Sequence, residues 1–503
     1  MVNPFMKSCC RFFLILSMMF ILNKLQSQSY TLESINQNHL RNQQLLGNYD
    51  STVSFTNQYN NILTFGKSNW KKPTISLLPI VLSQQFNSHH PFGWNDGAMI
   101  QSKGYQVLAR PGVNMQYGIF EVQLAPEFVF ATNGNYATPQ YGNPNNSSYS
   151  KLFLGQSFIK AHYGAISIGV STQNLWWGPG IHSSLLMSNN APGFFHAFIG
   201  TRKPIKTPIG SIEFNLIGAR LNSNSCIGYE NNHLLPRNIN NDWRYLNAYV
   251  VSWRPKWIKR LFLGMTRSLQ QYGEEALNRP TSFASKYIPV LGLAVQKQNN
   301  LGDDTLGRDQ LASFFLRWVL PKANAEFYIE YGKNDYGVNF RDYINGPTHS
   351  SAYTVGFRKL IPKTEEQYVQ LETELTQLSQ TPDALVRPAG NWYTHFQLFQ
   401  GYTHENQIMG AGAGFGANLQ TFSATWVNGN LRNGFMVQRV ERDPIGKLNK
   451  WTDFSIGWMP QWTFKNMILG AKVQLIRSNN YSWEKGNNPF NLHSRLMVQY
   501  NFK

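Results

Sequence analysis

Charge is scarce in this chain. Of its 503 residues only 14% are charged, while 42% are hydrophobic and 14% aromatic; soluble domains carry about 25% charged residues. Cysteine is scarcer still, with Cys9, Cys10 and Cys226 the only three. Long apolar runs are also missing, since no segment offers the 18 or more apolar residues that a helix needs to cross a bilayer. These shortages count against a disulfide scaffold, a helical membrane protein and an ordinary soluble enzyme. Mean hydropathy is −0.36, so the abundant aromatic surface is balanced by uncharged polar residues, as in a transmembrane barrel with a wet interior and an apolar exterior.

What is present begins with a basic start at Lys7 and Arg11, an apolar run from Phe12 to Leu22 and small residues at Ser27 and Ser29. That order predicts a secretory signal peptide over residues 1–29, and the run is too short to span as a helix. Cleavage would leave Cys226 as the single cysteine and thus no internal disulfide. It would also remove Lys7, Arg11 and Lys24, taking the net charge from +18 to +15. An exported chain so basic suits acidic partners such as anionic glycans or the phosphates of outer-membrane lipid and lipopolysaccharide; export argues against nucleic acid. Residues 30–70 are expected to form a small periplasmic helical segment, with Ile35, Leu40, Leu45 and Leu46 on a loose face and Gly47 as its stop. Residues 71–503 are expected to form the barrel.

From Thr74 onward the pattern has period two. Segments such as "LFLGQSFIKAH" and "AISIGVSTQ" have the length of tilted transmembrane strands, and only "YG" separates them. Tight turns recur at "KPIKTPIG", "RPKWIKR", "LPKANA", "IPKTEEQ", "NGNLRNG" and "MPQWTFKN". Longer stretches rich in Asn, Gly, Ser and Tyr alternate with them, which gives about 18 strands in an all-β antiparallel barrel whose short turns face the periplasm. "EEQYVQLETELTQL" fits either a helix capped by Thr364 and Gln367 or a strand. The strand leaves fewer misfits and turns Gln370, Glu372 and Glu374 toward a wet lumen. At the end, Leu496, Val498, Tyr500 and Phe502 alternate with polar or flexible residues, as a closing strand should. "YIPVLGLAV", from Tyr287 to Val295, fits an additional strand or an apolar piece of loop.

"NLWWGPGIHSSLLMSNNAPGFFH", from Asn174 to His196, concentrates aromatic surface in an outer-face segment. Gly178, Pro179 and Gly180 bend the chain there. Trp176 and Trp177 have two readings: an aromatic girdle or plug that packs the barrel mouth, or a platform on which flat sugar faces stack while nearby polar groups supply direction. Other outer segments share that mixture. The glycan-facing candidates are Trp94, Asp96, Trp176, Trp177, Asn189, Asn190, Trp243, Trp392 and Tyr393, with Arg220 and Arg237 favouring acidic sugars. His182 beside Ser183 and Ser184 is the nearest approach to a hydrolytic cluster and has no third member. His89 and His90 are an adjacent pair without further ligands, so neither a catalytic residue, a metal nor a cofactor is expected.

"QNLWWGPGIHSSLLMSNNAPGFFH" resembles the signature segment of the capsule assembly Wzi family of outer-membrane proteins, in the form found in the Bacteroidetes. "LRNQQLLGNYDSTVSF", "FGWNDGAMIQSKGYQ", "GNWYTH" and "GAGAGFGANLQTF" extend the resemblance over nearly the whole mature chain. The resemblance implies an 18-stranded barrel with a helical segment at its periplasmic mouth. It also implies a lectin that holds or organises capsular polysaccharide at the cell surface, with polysaccharide export machinery as a further partner. A porin of similar strand number, conducting and without glycan preference, is the rival expectation.

Overall fold

The computed structural model describes residues 32–58, 72–136, 148–223, 243–278, 283–291, 307–334, 348–364, 366–379, 391–395, 398–442 and 448–502. The expected signal peptide, Cys226 and Arg237 lie outside the described residues. Among the described residues, twenty-three strand segments close into one antiparallel barrel. Ten of them pair end to end into five broken staves, such as Thr74–Leu77 with Ile80–Asn87 and His196–Thr201 with Ile205–Thr207, so the wall has 18 staves. The last strand, Phe490–Tyr500, pairs with Ile80–Asn87 and leaves no open edge. In a bilayer this is required, because an unpaired edge would strand backbone polar groups in hydrocarbon.

Side chains alternate as the pleat demands. In Gln367–Gln377, Tyr368, Gln370, Glu372, Glu374 and Thr376 are buried inside, while Leu375 is exposed on the outer face. The strand reading of this segment therefore holds. The closing strand also behaves as expected, with Leu492 and Tyr500 exposed outward and Asn491, His493, Arg495, Met497 and Gln499 buried inward. Tyr117, Tyr163, Trp257, Trp318, Trp426 and Tyr500 are exposed near the tight turns and form the aromatic girdle of that rim. The apolar stretch from Tyr287 is not a further stave: Phe283–Tyr287 is a short helix and Pro289–Leu291 a 3-10 turn, and residues 292–295 lie outside the described residues.

The lumen is filled. From the tight-turn end enters the helix Leu32–Leu46, stopped by Gly47 at φ +87°. Its buried face departs from the apolar one anticipated. Leu45 does pack with Phe262, Val319, Leu360, Tyr368 and Val427, but Gln37, Arg41, Asn42 and Gln44 are buried as well. The cause is the wall, which presents polar groups inward. Arg41 and Arg317 pair with opposite oxygens of Glu326 at 2.8 and 2.7 Å. Arg358 reaches Glu372 at 2.5 Å and donates to Asn42 and Asn38 at 3.0 and 2.7 Å. Charges so deeply buried are tolerated only when paired and hydrogen-bonded.

Candidate functional site

From the long-loop end the segment 172–195 folds down into the lumen instead of spreading over the rim. Trp176 and Trp177 form a two-residue ladder with Gln58 and Asn57 of the N-terminal segment, and the Gly178 N–H donates to Thr56 O at 2.8 Å. The two plug elements thus meet inside the barrel. Acidic wall residues hold the loop by its backbone: Ile181 and His182 N–H donate to Glu374 at 2.7 and 3.1 Å. Leu185 N–H donates to Glu330 at 3.2 Å. Tyr328 and Ser313 hydroxyls steady those carboxylates at 2.7 Å each. The bend itself needs glycine. Gly178 has φ +111°, and a Cβ there would stand 2.9 Å from a Glu330 oxygen. Gly178→Ala is therefore expected to cost about 1–3 kcal/mol through backbone strain and displacement of the carboxylate; thermal unfolding of the detergent-folded barrel checks it.

This inward course departs from the outer-face position expected of Trp176 and Trp177. Trp177 is 0% exposed, Trp392 2% and Tyr393 1%, and they share one apolar cluster with Leu185, Leu186, Met187 and Tyr402. Trp176 is buried too, its Nε1–H donating to Gly180 O at 3.1 Å. Pro179 gives its carbonyl to Arg41 at 3.0 Å. Tyr393 pins two segments, donating to Leu185 O at 2.9 Å and accepting from Ala411 N–H at 2.8 Å. Burial pushes its phenol well above the ordinary range. Trp392 donates to Ser350 O at 3.1 Å. These four aromatics cork the barrel because its lumen is wide enough to need filling and the loop supplies the apolar volume. Of the hydrolytic cluster considered above, His182, Ser183 and Ser184 are buried in the same plug, and the Ser184 hydroxyl is committed to Trp177 O.

The remaining candidates divide between two places. Trp94, Asp96, Trp176 and Asn189 line one cleft of about 70 Å³ opposite Lys472 and Arg495 of the wall. Asp96 is buried and ion-paired to Arg495, and Asn190 is buried, donating to Ile408 O at 2.9 Å. The cleft has room for a few waters and is smaller than the roughly 150 Å³ that admits a six-membered ring. Arg220 and Trp243 lie elsewhere, on the outer wall of Gly210–Leu221 and beside it, with the guanidinium carbon 5.2 Å from the indole ring centre.

Directly above the cleft the structure assembles a site that the sequence did not announce. Trp94 is half-buried, and the Arg442 guanidinium carbon lies 5.9 Å from its ring and 5.4 Å from that of Trp451. Trp451 meets Trp483 edge-on at 5.2 Å and Tyr481 at 4.9 Å. Tyr481 in turn packs on His90 at 4.5 Å. Asp453 orders the group, accepting from Trp451 Nε1–H at 2.7 Å and from Ser478 at 2.6 Å and pairing with Arg442 at 3.3 Å. Trp483 is half-buried in a turn where Asn480, Ser482 and Trp483 all have positive φ (51°, 58° and 58°). Strain of this kind collects at ligand-holding positions. Only Trp94 of this cluster was anticipated as glycan-facing, because Arg442 and Trp451 stand at strand ends and Tyr481 and Trp483 in a short turn, all more than 340 positions further along the chain.

His90 makes the cluster acid-sensitive. Burial lowers its pKa from 6.5 to about 4, and its Nε2 has no hydrogen-bond partner among the described residues. Between those values the unfolded chain binds a proton that the folded loop refuses, so stability falls as pH drops from about 6.5 toward 4, by up to about 3 kcal/mol. Hydrogen exchange of the 480–489 turn is expected to accelerate over that window, and His90→Phe to remove the acceleration.

A closed 18-stave barrel with polar walls, an internal plug and an aromatic outer mouth defines a plugged outer-membrane β-barrel. More narrowly, the chain belongs to the capsule assembly protein Wzi family, whose model matches residues 83–488. Among solved structures it is similar to Wzi of Escherichia coli, described as an outer-membrane protein involved in group 1 capsule assembly and a carbohydrate-binding β-barrel. The identity is 12%, 84% of each chain is covered and the TM-score is 0.58. It is also similar to OccK5 (OpdH) of Pseudomonas aeruginosa, at 10% identity over 86% of this chain and 99% of that one, with a TM-score of 0.44. Among curated protein sequences none matches this chain.

Proposed function

We propose that this protein is a surface lectin that retains an acidic capsular or extracellular polysaccharide at the outer mouth of its barrel. It binds the glycan without cleaving it. The observation that carries the reading is the cluster of Trp94, Trp451, Trp483 and Arg442 on the open side of a lumen that the plug closes. Half-buried Trp94 and Trp483 offer sugar rings a flat apolar face. Arg442, buried and committed to Asp453 and to Ala413 O, holds Trp94 and Trp451 from behind. The net charge of +18 favours an acidic glycan. A filled lumen favours this over passive solute diffusion. The E. coli relative, a carbohydrate-binding barrel, supports the same assignment.

The test is binding of the purified, detergent-folded protein to the host's own surface polysaccharide, with an unrelated barrel as control. Saturable binding that soluble glycan competes away and salt weakens is the expected result. Absence of binding together with steady ion conductance in a planar bilayer would leave a channel built on the same scaffold.

A further inference from the structure

The segment that the fold left over, Phe283–Leu291, lies on the outside of the barrel wall. Three hydrogen bonds fasten it there. Tyr245 hydroxyl donates to Tyr287 O at 2.6 Å, Val290 N–H donates to Asn247 Oδ1 at 3.0 Å, and Arg267 Nη1 donates to Val290 O at 2.7 Å. Tyr245, Asn247 and Arg267 belong to the outward-facing register: Tyr249 pairs with Arg267, Val251 with Met265 and Trp253 with Leu263. A buried arginine and a buried asparagine, 4% and 2% exposed, are thus embedded in a face otherwise meant for hydrocarbon. Polar groups in that setting are costly and mark function. The strap satisfies them together with the wall, where Gln310 Oε1 accepts from Arg267 at 2.9 Å and Ile217 O from Asn247 at 2.7 Å, and its own Phe283 and Leu291 stay 73% and 64% exposed.

Beneath the strap runs an apolar groove of about 560 Å³, lined by Phe214, Val251, Leu263, Met265, Leu291 and Phe314. Its volume falls in the range of small-molecule sites, and its walls are nearly all carbon. At the upper end of the same stave stands Arg220, exposed and outward-facing, beside the Trp243 ring, and Lys286 belongs to the strap itself. Six residues separate Arg220 from Phe214, which on a stave tilted by roughly 40° is a drop of roughly 15 Å from the rim toward the bilayer centre. With the apolar groove on the bilayer side of the strap and Arg220 on its rim side, the arrangement matches an acyl chain attached to an anionic headgroup in the outer leaflet.

We propose that the strap and groove form a lateral binding site for one phosphorylated glycolipid of the lipid A class. An acyl chain fills the groove under Leu291, and Arg220 and Lys286 meet the phosphate. The site would anchor the protein in the same lipid layer above which its glycan is held.

Native mass spectrometry of the detergent-folded full chain tests this, with lipid A as the probe and phosphatidylglycerol of matched chain length as the competitor. Wild type is expected to retain one lipid A and to prefer it to phosphatidylglycerol by at least about tenfold. Met265→Trp, which fills the groove, and Arg220→Ala combined with Lys286→Ala are each expected to lose that preference. Leu291→Ser, on the exposed strap, is expected to weaken retention while leaving the wall intact. Equal retention of both lipids, no retained lipid, or undiminished retention by folded Met265→Trp and Leu291→Ser would overturn the proposal. Polysaccharide binding at the outer mouth is expected to persist in Met265→Trp and Leu291→Ser, which separates the two sites.

Discussion

Joint replacement of Glu330 and Glu374 by alanine is expected to turn a silent barrel into a conducting one. Each carboxylate holds the inward loop by backbone N–H groups, Leu185 for Glu330 and Ile181 with His182 for Glu374. Hydrogen bonds of this kind contribute about 0.5–3 kcal/mol each, according to the charge on the acceptor, and a buried N–H left without a partner adds its desolvation cost. Two such losses are comparable to the whole stability of a local unit, whereas the closed ladder of the wall does not depend on them. Single-channel recording should then show wild type almost closed and the double variant opening to small conductances, limited by the helix Leu32–Leu46 that still occupies the tight-turn end, with heat-dependent gel mobility confirming that the barrel is folded. A folded double variant that stays silent would mean that the apolar cluster around Trp177, Trp392 and Tyr393 secures the plug without the acids.

The second large effect separates two kinds of tryptophan. Trp483→Ala and Trp94→Ala are each expected to weaken polysaccharide binding by about 10–100-fold, the usual cost of removing a central aromatic anchor, with little change in thermal stability. Trp177→Ala and Trp392→Ala should do the opposite. Both indoles are almost wholly buried, so truncation leaves a cavity and costs about 3–5 kcal/mol. Isothermal titration beside thermal unfolding measures both quantities on the same samples. Equal losses of affinity in all four variants, proportional to lost stability, would sink the rim site and make the glycan reading a matter of overall integrity.

Much of the scaffold was legible along the chain. Period-two alternation in "QYVQLETELTQ" placed Glu372 and Glu374 inside, Gly47 marked the helix stop, and the tight turns gave the number of staves. These features are local: the pleat, a positive φ and a two-residue hairpin each act over a few residues. Arg220 and Trp243, both glycan-facing candidates, lie together on the outer wall, 5.2 Å apart and away from the tryptophan cluster.

Alternation along each strand is enough to settle the wall: which residues face lipid, which face the lumen and where the turns fall. That "WWGPG" folds inward is a matter of long-range contacts. That course depends on Glu330 and Glu374, some 150 to 200 positions away in the chain, offering acceptors at the right depth. Only barrel closure brings Trp94 beside Arg442, Trp451 and Trp483. Nothing in a loop's composition records which distant strand will stand opposite it. The direction of a loop and the membership of a site at a barrel mouth are set by long-range register, which the folded chain alone contains.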